Sequence, residues 1–216
     1  MELKDYIKTY NAFSQDECAE IIEYYEKNKD RQIRSQTYSG VGNYDQTESS
    51  SRTSKQVDVT YGDDIDYIIS NKISSYFIEY HFDLKKKYKE VYASDDDYDP
   101  VDYLLSDLEY VDEGYSIVKY DSDRGYFDWH FDRIDGDALK TRRVFSCIIY
   151  LNDNFEEGET DFKFLKIKPE TGKILFFPSH WQYVHKGCVP IDGNKYVITT
   201  WLHFKDNENM TIANHI

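Results

Sequence analysis

Residues 129–132 read Trp-His-Phe-Asp and set one imidazole and one carboxylate two positions apart. In an extended segment side chains alternate between faces, so His130 and Asp132 point one way while Trp129 and Phe131 point the other. Such a pair serves as half of a metal site, as an acid/base couple or as a hydrogen-bonded surface pair. A metal site needs at least one further ligand from a distant strand. Of the chain's histidines, His180, His185 and His203 lie in the later, strand-rich region, where a closed sheet can return them to the first pair. His81 and His180 read as ordinary surface or core histidines.

Two histidines and one carboxylate on one face leave about three positions of an octahedral ion open, which non-haem Fe(II) oxygenases need for co-substrate and O2. Zinc more often takes a closed tetrahedral set with sulfur, and Cys18, Cys147 and Cys188 are not spaced to give one. The far end of the chain adds weight: His185 is followed by Lys195 and then by Trp201. A lysine on a neighbouring strand reaches into the same cavity, where an anion tethered to the metal offsets the cost of burying its charge.

The elements that must position these groups fall in two halves. Residues 13–30 predict a first helix, with Ser14 and Glu17 in the capping-box relation and Cys18, Ile21, Ile22 and Tyr25 on one stripe. Residues 31–62 read as polar loop with short extended pieces. A second helix is expected over 63–80, where Ile65, Ile68, Ile69, Ile73, Tyr76, Phe77 and Tyr80 share a face. The run at 94–100 is a solvated charge cluster. From about residue 110 strands are expected at 115–120, 126–131, 143–151, 161–167, 173–178, 182–187 and 195–204, punctuated by glycine and Asn-Asp turns. Helices followed by short strands indicate an α+β domain in which N-terminal helices buttress an antiparallel barrel or sandwich. Trp129, Phe131 and Trp181 are expected in the core.

The chain has 216 residues, which suits a single domain, 1–216, helical to about 110 and with its barrel core over about 110–205. Apolar residues at 40% and aromatics at 17% supply a sizeable core, so the chain is not disordered. A formal charge of −15 disfavours nucleic acid and anionic membrane as partners. The three cysteines build no disulfide framework, and no signal peptide or transmembrane segment is visible, so a cytoplasmic location is expected.

In order along the chain, Tyr120, His130-x-Asp132, Arg143-Val144, Tyr150-Leu151, Gly158-Glu159-Thr160 and His185…Lys195…Trp201 resemble the 2-oxoglutarate- and Fe(II)-dependent oxygenases, in particular their prolyl 4-hydroxylase branch. Ser51-Arg52-Thr53-Ser54 looks like that family's segment beside the peptide groove, and the first helix is similar too; the likeness runs from about Phe13 to Phe204. The resemblance implies a double-stranded β-helix, a jelly-roll or cupin-like barrel. It implies Fe(II) on His130, Asp132 and His185, with 2-oxoglutarate on Lys195, Tyr120 and Thr160. It also implies O2 and ascorbate as further small-molecule requirements. Arg143, His203, Trp201 and Arg52 match the peptide side, so a proline-containing peptide or protein is the implied substrate and a dioxygenase the implied activity. The family's tyrosine-to-histidine spacing is shorter by one, implying a bulge near Gly125 and making Tyr126 a competitor of Tyr120. Residues 81–110 match nothing family-wide. Residues 33–60 are expected to form a lid over the site.

Three other readings compete: the same chemistry on a free amino acid or another side chain, a non-catalytic barrel whose polar residues fill its interior, and a nucleic-acid demethylase. The charge and a lysine anchor, where those demethylases resemble each other in using arginine, weigh against the last.

Overall fold

The computed structural model describes residues 1–35, 37–38, 44–45, 51–92, 110–133 and 142–205. The charge run at 94–100 lies outside them, as does part of the 33–60 segment expected as a lid. In chain order the strands begin with β1 (Lys8–Asn11), β2 (Ile33–Arg34), β3 (Thr37–Tyr38), β4 (Tyr44–Asp45), β5 (Arg52–Thr53) and β6 (Lys55–Asp58). There follow β7 (Tyr110–Asp112), β8 (Ser116–Tyr120), β9 (Tyr126–His130), β10 (Arg143–Tyr150), β11 (Glu156–Glu157) and β12 (Thr160–Asp161). The last are β13 (Lys166–Ile167), β14 (Lys173–Pro178), β15 (His185–Gly187), β16 (Pro190–Ile191) and β17 (Lys195–Phe204). Two α-helices, α1 (Gln15–Lys27) and α2 (Asp64–Tyr92), precede most of the strands.

An eight-stranded antiparallel sheet runs β1-β14-β10-β17-β8-β6-β2, with β7 pairing the far end of β17; a five-stranded sheet runs β13-β12-β15-β9-β5. The large sheet is buried on both faces, which the strand period explains. On one face Ile117, Ile149, Phe176 and Ile198 pack with Ile21 and Tyr25 of α1 and Ile69, Ile73, Phe77 and Tyr80 of α2. Their immediate neighbours Val118, Tyr150, Phe177 and Val197 face the other way, in a second cluster with Phe162 and Tyr183. The helices therefore hold the sheet that carries half of the site.

Helix α1 starts where its cap predicts: Ser14 Oγ accepts from Glu17 N at 3.2 Å and the Glu17 carboxylate accepts from Ser14 N at 2.7 Å. Helix α2 runs on to Tyr92, past the end expected near 80, because Leu84 extends the buried stripe. The region before 110 is not all helix: β1 and β6 join the large sheet, β5 the small one. The strand expected over 161–167 is split into β12 and β13 by a tight turn with Lys163 at φ 67°. Residues 181–183 form a 3-10 turn, and the strand starts only at His185.

The bulge implied near Gly125 has its counterpart on β9, whose ladder with β15 shifts register between Phe127 and His130. Strands β8 and β9 belong to different sheets, and the chain crosses between them through a turn closed by Gly125 N donating to Asp121 O at 2.8 Å. The extra residue falls in the stretch that holds both this turn and the register shift on β9. Trp129, Phe131 and Trp181, expected inside, are 37%, 42% and 67% exposed.

Gly172 joins the helical part to the sheet. It has φ +83°, its carbonyl accepts from Ala12 N at 2.9 Å and Phe13 N at 3.0 Å, and a Cβ there meets the Phe13 carbonyl. Gly172→Ala is expected to lower unfolding free energy by more than about 2 kcal/mol, the sum of left-handed strain and a backbone displacement. The urea midpoint measures this; an unchanged midpoint refutes it.

Candidate metal centre

The small sheet builds the centre. Antiparallel pairing of β9 with β15 sets His130 opposite His185, ring centroids 4.2 Å apart. Asp132 follows just beyond the end of β9, and its Oδ1 lies 3.6 Å from His130 Nε2 and its Oδ2 3.8 Å from His185 Nε2. The three ligand atoms lie within 4.8 Å of one another.

Backbone carbonyls choose the tautomers. His130 Nδ1 sits 2.7 Å from Asp128 O and His185 Nδ1 2.9 Å from Tyr183 O. A carbonyl only accepts, so each Nδ1 carries a proton and each Nε2 is the ring nitrogen that faces Asp132. Burial, then the neighbouring His185, push the His130 imidazolium pKa down to about 3 against the pull of Asp132. Burial alone would raise the Asp132 carboxyl, but His185, His130, the Ser146 hydroxyl and Arg143 hold it below the usual range. The result is two imidazole nitrogens and one carboxylate converging on one point, a donor set that suits a divalent ion with open coordination positions.

The same cavity is lined by Arg52, Tyr120, Phe127, Thr160, Lys195 and Trp201, with Val197 and Thr199 between the last two. Strand alternation along β17 presents Lys195, Val197, Thr199 and Trp201 to it. Lys195 is 2% exposed; its Nζ donates to Gly158 O at 2.9 Å and Cys188 O at 3.4 Å and lies 4.6 Å over the Tyr120 ring. Burial pushes its pKa down to about 8. Thr160 Oγ1 is 2.6 Å from the Tyr150 hydroxyl. Tyr120 lies directly across the ladder from Lys195, whereas Tyr126 is not among the lining residues. The Arg52 guanidinium stacks 4.5 Å over Phe127, which stacks 3.5 Å from His130.

Arg143 and His203 stand behind this wall. Arg143 donates through Nε and Nη2 to Glu113 at 2.9 and 2.6 Å and through Nη1 to Asp132 O at 3.2 Å, with Trp201 3.5 Å from the guanidinium. Its charge is therefore neutralised and it braces Trp201 from outside. His203 pairs with Arg143 across the ladder, and its Nδ1 contacts Phe204 O at 3.2 Å. Sequence reasoning missed Ser146 and Phe127, and it gave Tyr150, though part of the matched pattern, no role in the cavity. For Ser146 a signal existed, a hydroxyl in the middle of the apolar run of β10.

A sequence model of the 2OG-Fe(II) oxygenase superfamily matches residues 115–203, the stretch that contains His130, Asp132, His185 and Lys195. Over those residues, about two fifths of the chain, it is similar to that superfamily. Probable prolyl 4-hydroxylase 9 of Arabidopsis thaliana is 28% identical, in a match covering 44% of this chain and 42% of the relative. The chain thus spans less than half the length of that curated relative. Among solved structures, the 2OG complex of the viral collagen prolyl hydroxylase of Paramecium Bursaria Chlorella virus-1 superposes with a TM-score of 0.59 at 22% identity, over 91% of this chain and 95% of that one. A prolyl hydroxylase from Trichoplax adhaerens, in complex with a hypoxia inducible factor oxygen degradation domain peptide fragment, gives 0.63 at 15% identity, over 92% and 84%. At these identities the likeness is one of fold. Within the superfamily, it is the prolyl hydroxylase branch that this chain resembles.

Proposed function

We propose that this chain is a 2-oxoglutarate- and Fe(II)-dependent dioxygenase that hydroxylates prolyl residues in a peptide or protein. The observation that carries this reading is the convergence of His130 Nε2, Asp132 and His185 Nε2 within 4.8 Å, in a cavity that also holds the buried cation Lys195. His130, Asp132 and His185 hold the iron; the bound ion, with O2 and 2-oxoglutarate, supplies hydroxylation of an unactivated C–H with release of succinate and CO2. The two sheets form a double-stranded β-helix, and the chain acts as one domain. Supporting this, the same fold occurs in proteins described as prolyl hydroxylases.

Lys195 binds the distal carboxylate of 2-oxoglutarate, assisted by the Tyr120 hydroxyl, while Thr160 holds the Tyr150 hydroxyl at the cavity wall. Trp201, with Arg143 and His203 behind it, shapes the peptide side. Arg52 lines the cavity beside Phe127 and is the cation best placed to meet the substrate peptide backbone. A peptide, and neither nucleic acid nor a membrane, fits the −15 charge. Among the described residues no helix is long and apolar enough to cross a membrane.

The test is incubation with Fe(II), 2-oxoglutarate, ascorbate and proline-containing peptides, followed by mass spectrometry. Succinate formation with a gain of about 16 Da on proline, one oxygen atom, is expected. The absence of any 2-oxoglutarate turnover in iron-loaded protein overturns the assignment.

A pH dependence follows from Lys195. Its folded-state pKa is depressed to about 8, so it is charged below that value and loses its proton above it. The affinity for 2-oxoglutarate is expected to hold below pH 8 and to fall by up to about tenfold per unit above it, with proton uptake on binding. Calorimetry in buffers of different ionisation enthalpy reads both; equal affinity at pH 7 and 9.5 without proton uptake rules this out.

A further inference from the structure

Strand β10 is apolar for most of its length, yet Ser146 stands in its middle, 1% exposed. Its Oγ lies 2.6 Å from Asp132 Oδ2 and 2.8 Å from the Oγ of Ser179, which is also 1% exposed. The carboxylate has no proton to give, so Ser146 donates to it. A hydroxyl has one hydrogen, so Ser146 must in turn accept from Ser179. The direction of the chain is thereby fixed: Ser179 to Ser146 to Asp132.

We propose that this two-hydroxyl relay is the positioning device for the metal-binding carboxylate, with Ser146 and Ser179 acting through Asp132 on metal affinity. The inference rests on the reading above that Asp132 is a ligand. Asp132 needs such a device because it lies past the last residue of β9, where the ladder no longer holds the chain. Its backbone is tied on both sides: Arg143 Nη1 donates to Asp132 O at 3.2 Å, and Arg133 N donates to Ser179 O at 2.9 Å. Those bonds fix the Cα but leave the carboxylate free to rotate. Among the described residues the hydrogen bond that stops this rotation is the one from Ser146, and it leaves one oxygen against each histidine Nε2. The relay itself is anchored in the large sheet: Ser179 follows directly on β14, and its N–H donates to Val144 O of β10 at 3.0 Å. The carboxylate from one sheet is thus registered against the other by side chains on rigid elements.

The test uses Mn(II) alone as probe on the full chain, with affinity read by electron paramagnetic resonance and folding by thermal denaturation of the same samples. Ser146→Ala is expected to weaken Mn(II) binding by about 10–100-fold, the range for an outer partner of a metal ligand. Ser179→Ala weakens it by less, since Ser146 still donates, and Ser146→Thr, which keeps the hydroxyl, restores it. The Co(II) absorption spectrum shifts in Ser146→Ala and returns in Ser146→Thr. A structural role alone lowers the melting temperature and leaves affinity and spectrum unchanged. Wild-type Mn(II) affinity in folded Ser146→Ala overturns the relay; should that variant not fold, wild-type affinity in Ser179→Ala does so. If the unmodified chain itself fails to bind Mn(II), it is the metal-site reading that falls.

Discussion

Exchange of His130 for alanine is expected to reduce succinate formation by more than about 100-fold, beyond the range for losing an outer partner of a ligand, because a donor atom itself is removed. His130 presents an Nε2 lone pair that its Nδ1 bond to Asp128 O fixes in place. The fold should survive. His130 is at the end of its strand, stacked on Phe127, while the packing that holds the chain together lies between the large sheet and the two helices. Trp129→Ala is the matched control: it is one residue away, on the opposite face and 37% exposed, so its loss leaves turnover near the wild-type level. Turnover, Mn(II) binding and far-UV circular dichroism of both variants are the measurements. Full turnover by His130→Ala ends the metal assignment.

What could be read from the chain beforehand divides along physical lines. Periodicity is local, so it located α1 and its cap, the buried stripe of α2 and the inward face of β17. The strand alternation also separated His130 and Asp132 from Trp129 and Phe131. It said nothing about how far the second face is covered, and Trp129, Phe131 and Trp181, expected in the core, are exposed. Helix α2 was expected only to about 80, yet the lysines at 85–87 are good helix formers and Leu84 keeps the buried stripe going. Strands β1 and β6 are four residues each, with sequences KTYN and KQVD, too short and too polar to show a period. Their membership in the sheet is set by partners far away in sequence. The same holds for the Glu113 carboxylate, which pairs with Arg143 across 30 residues and sets its guanidinium against Trp201.

Lys195→Ala is expected to raise the 2-oxoglutarate concentration needed for half-maximal turnover by at least about tenfold, corresponding to a loss of about 1.4 kcal/mol or more. The lysine is buried, and the groups its ammonium touches carry no charge: two carbonyl oxygens and the Tyr120 ring. Carbonyls and a π-face satisfy its hydrogens without cancelling its charge, which is why burial pulls its pKa down to about 8. A carboxylate entering the cavity supplies the missing countercharge, and the resulting bond is charge-assisted and shielded from water. Removing the ammonium leaves that carboxylate desolvated opposite a methyl group. Mn(II) affinity measured without 2-oxoglutarate should be unchanged, because Lys195 belongs to the large sheet and contributes no atom to the His130–Asp132–His185 cluster. Lys195→Arg should recover part of the binding, since the charge survives but the planar fork does not fit between Gly158 O and Cys188 O as an ammonium does. The separation is the decisive feature: metal binding intact and 2-oxoglutarate binding lost. If Lys195→Ala keeps the wild-type 2-oxoglutarate dependence, the co-substrate is anchored elsewhere and the buried ammonium serves the barrel wall alone.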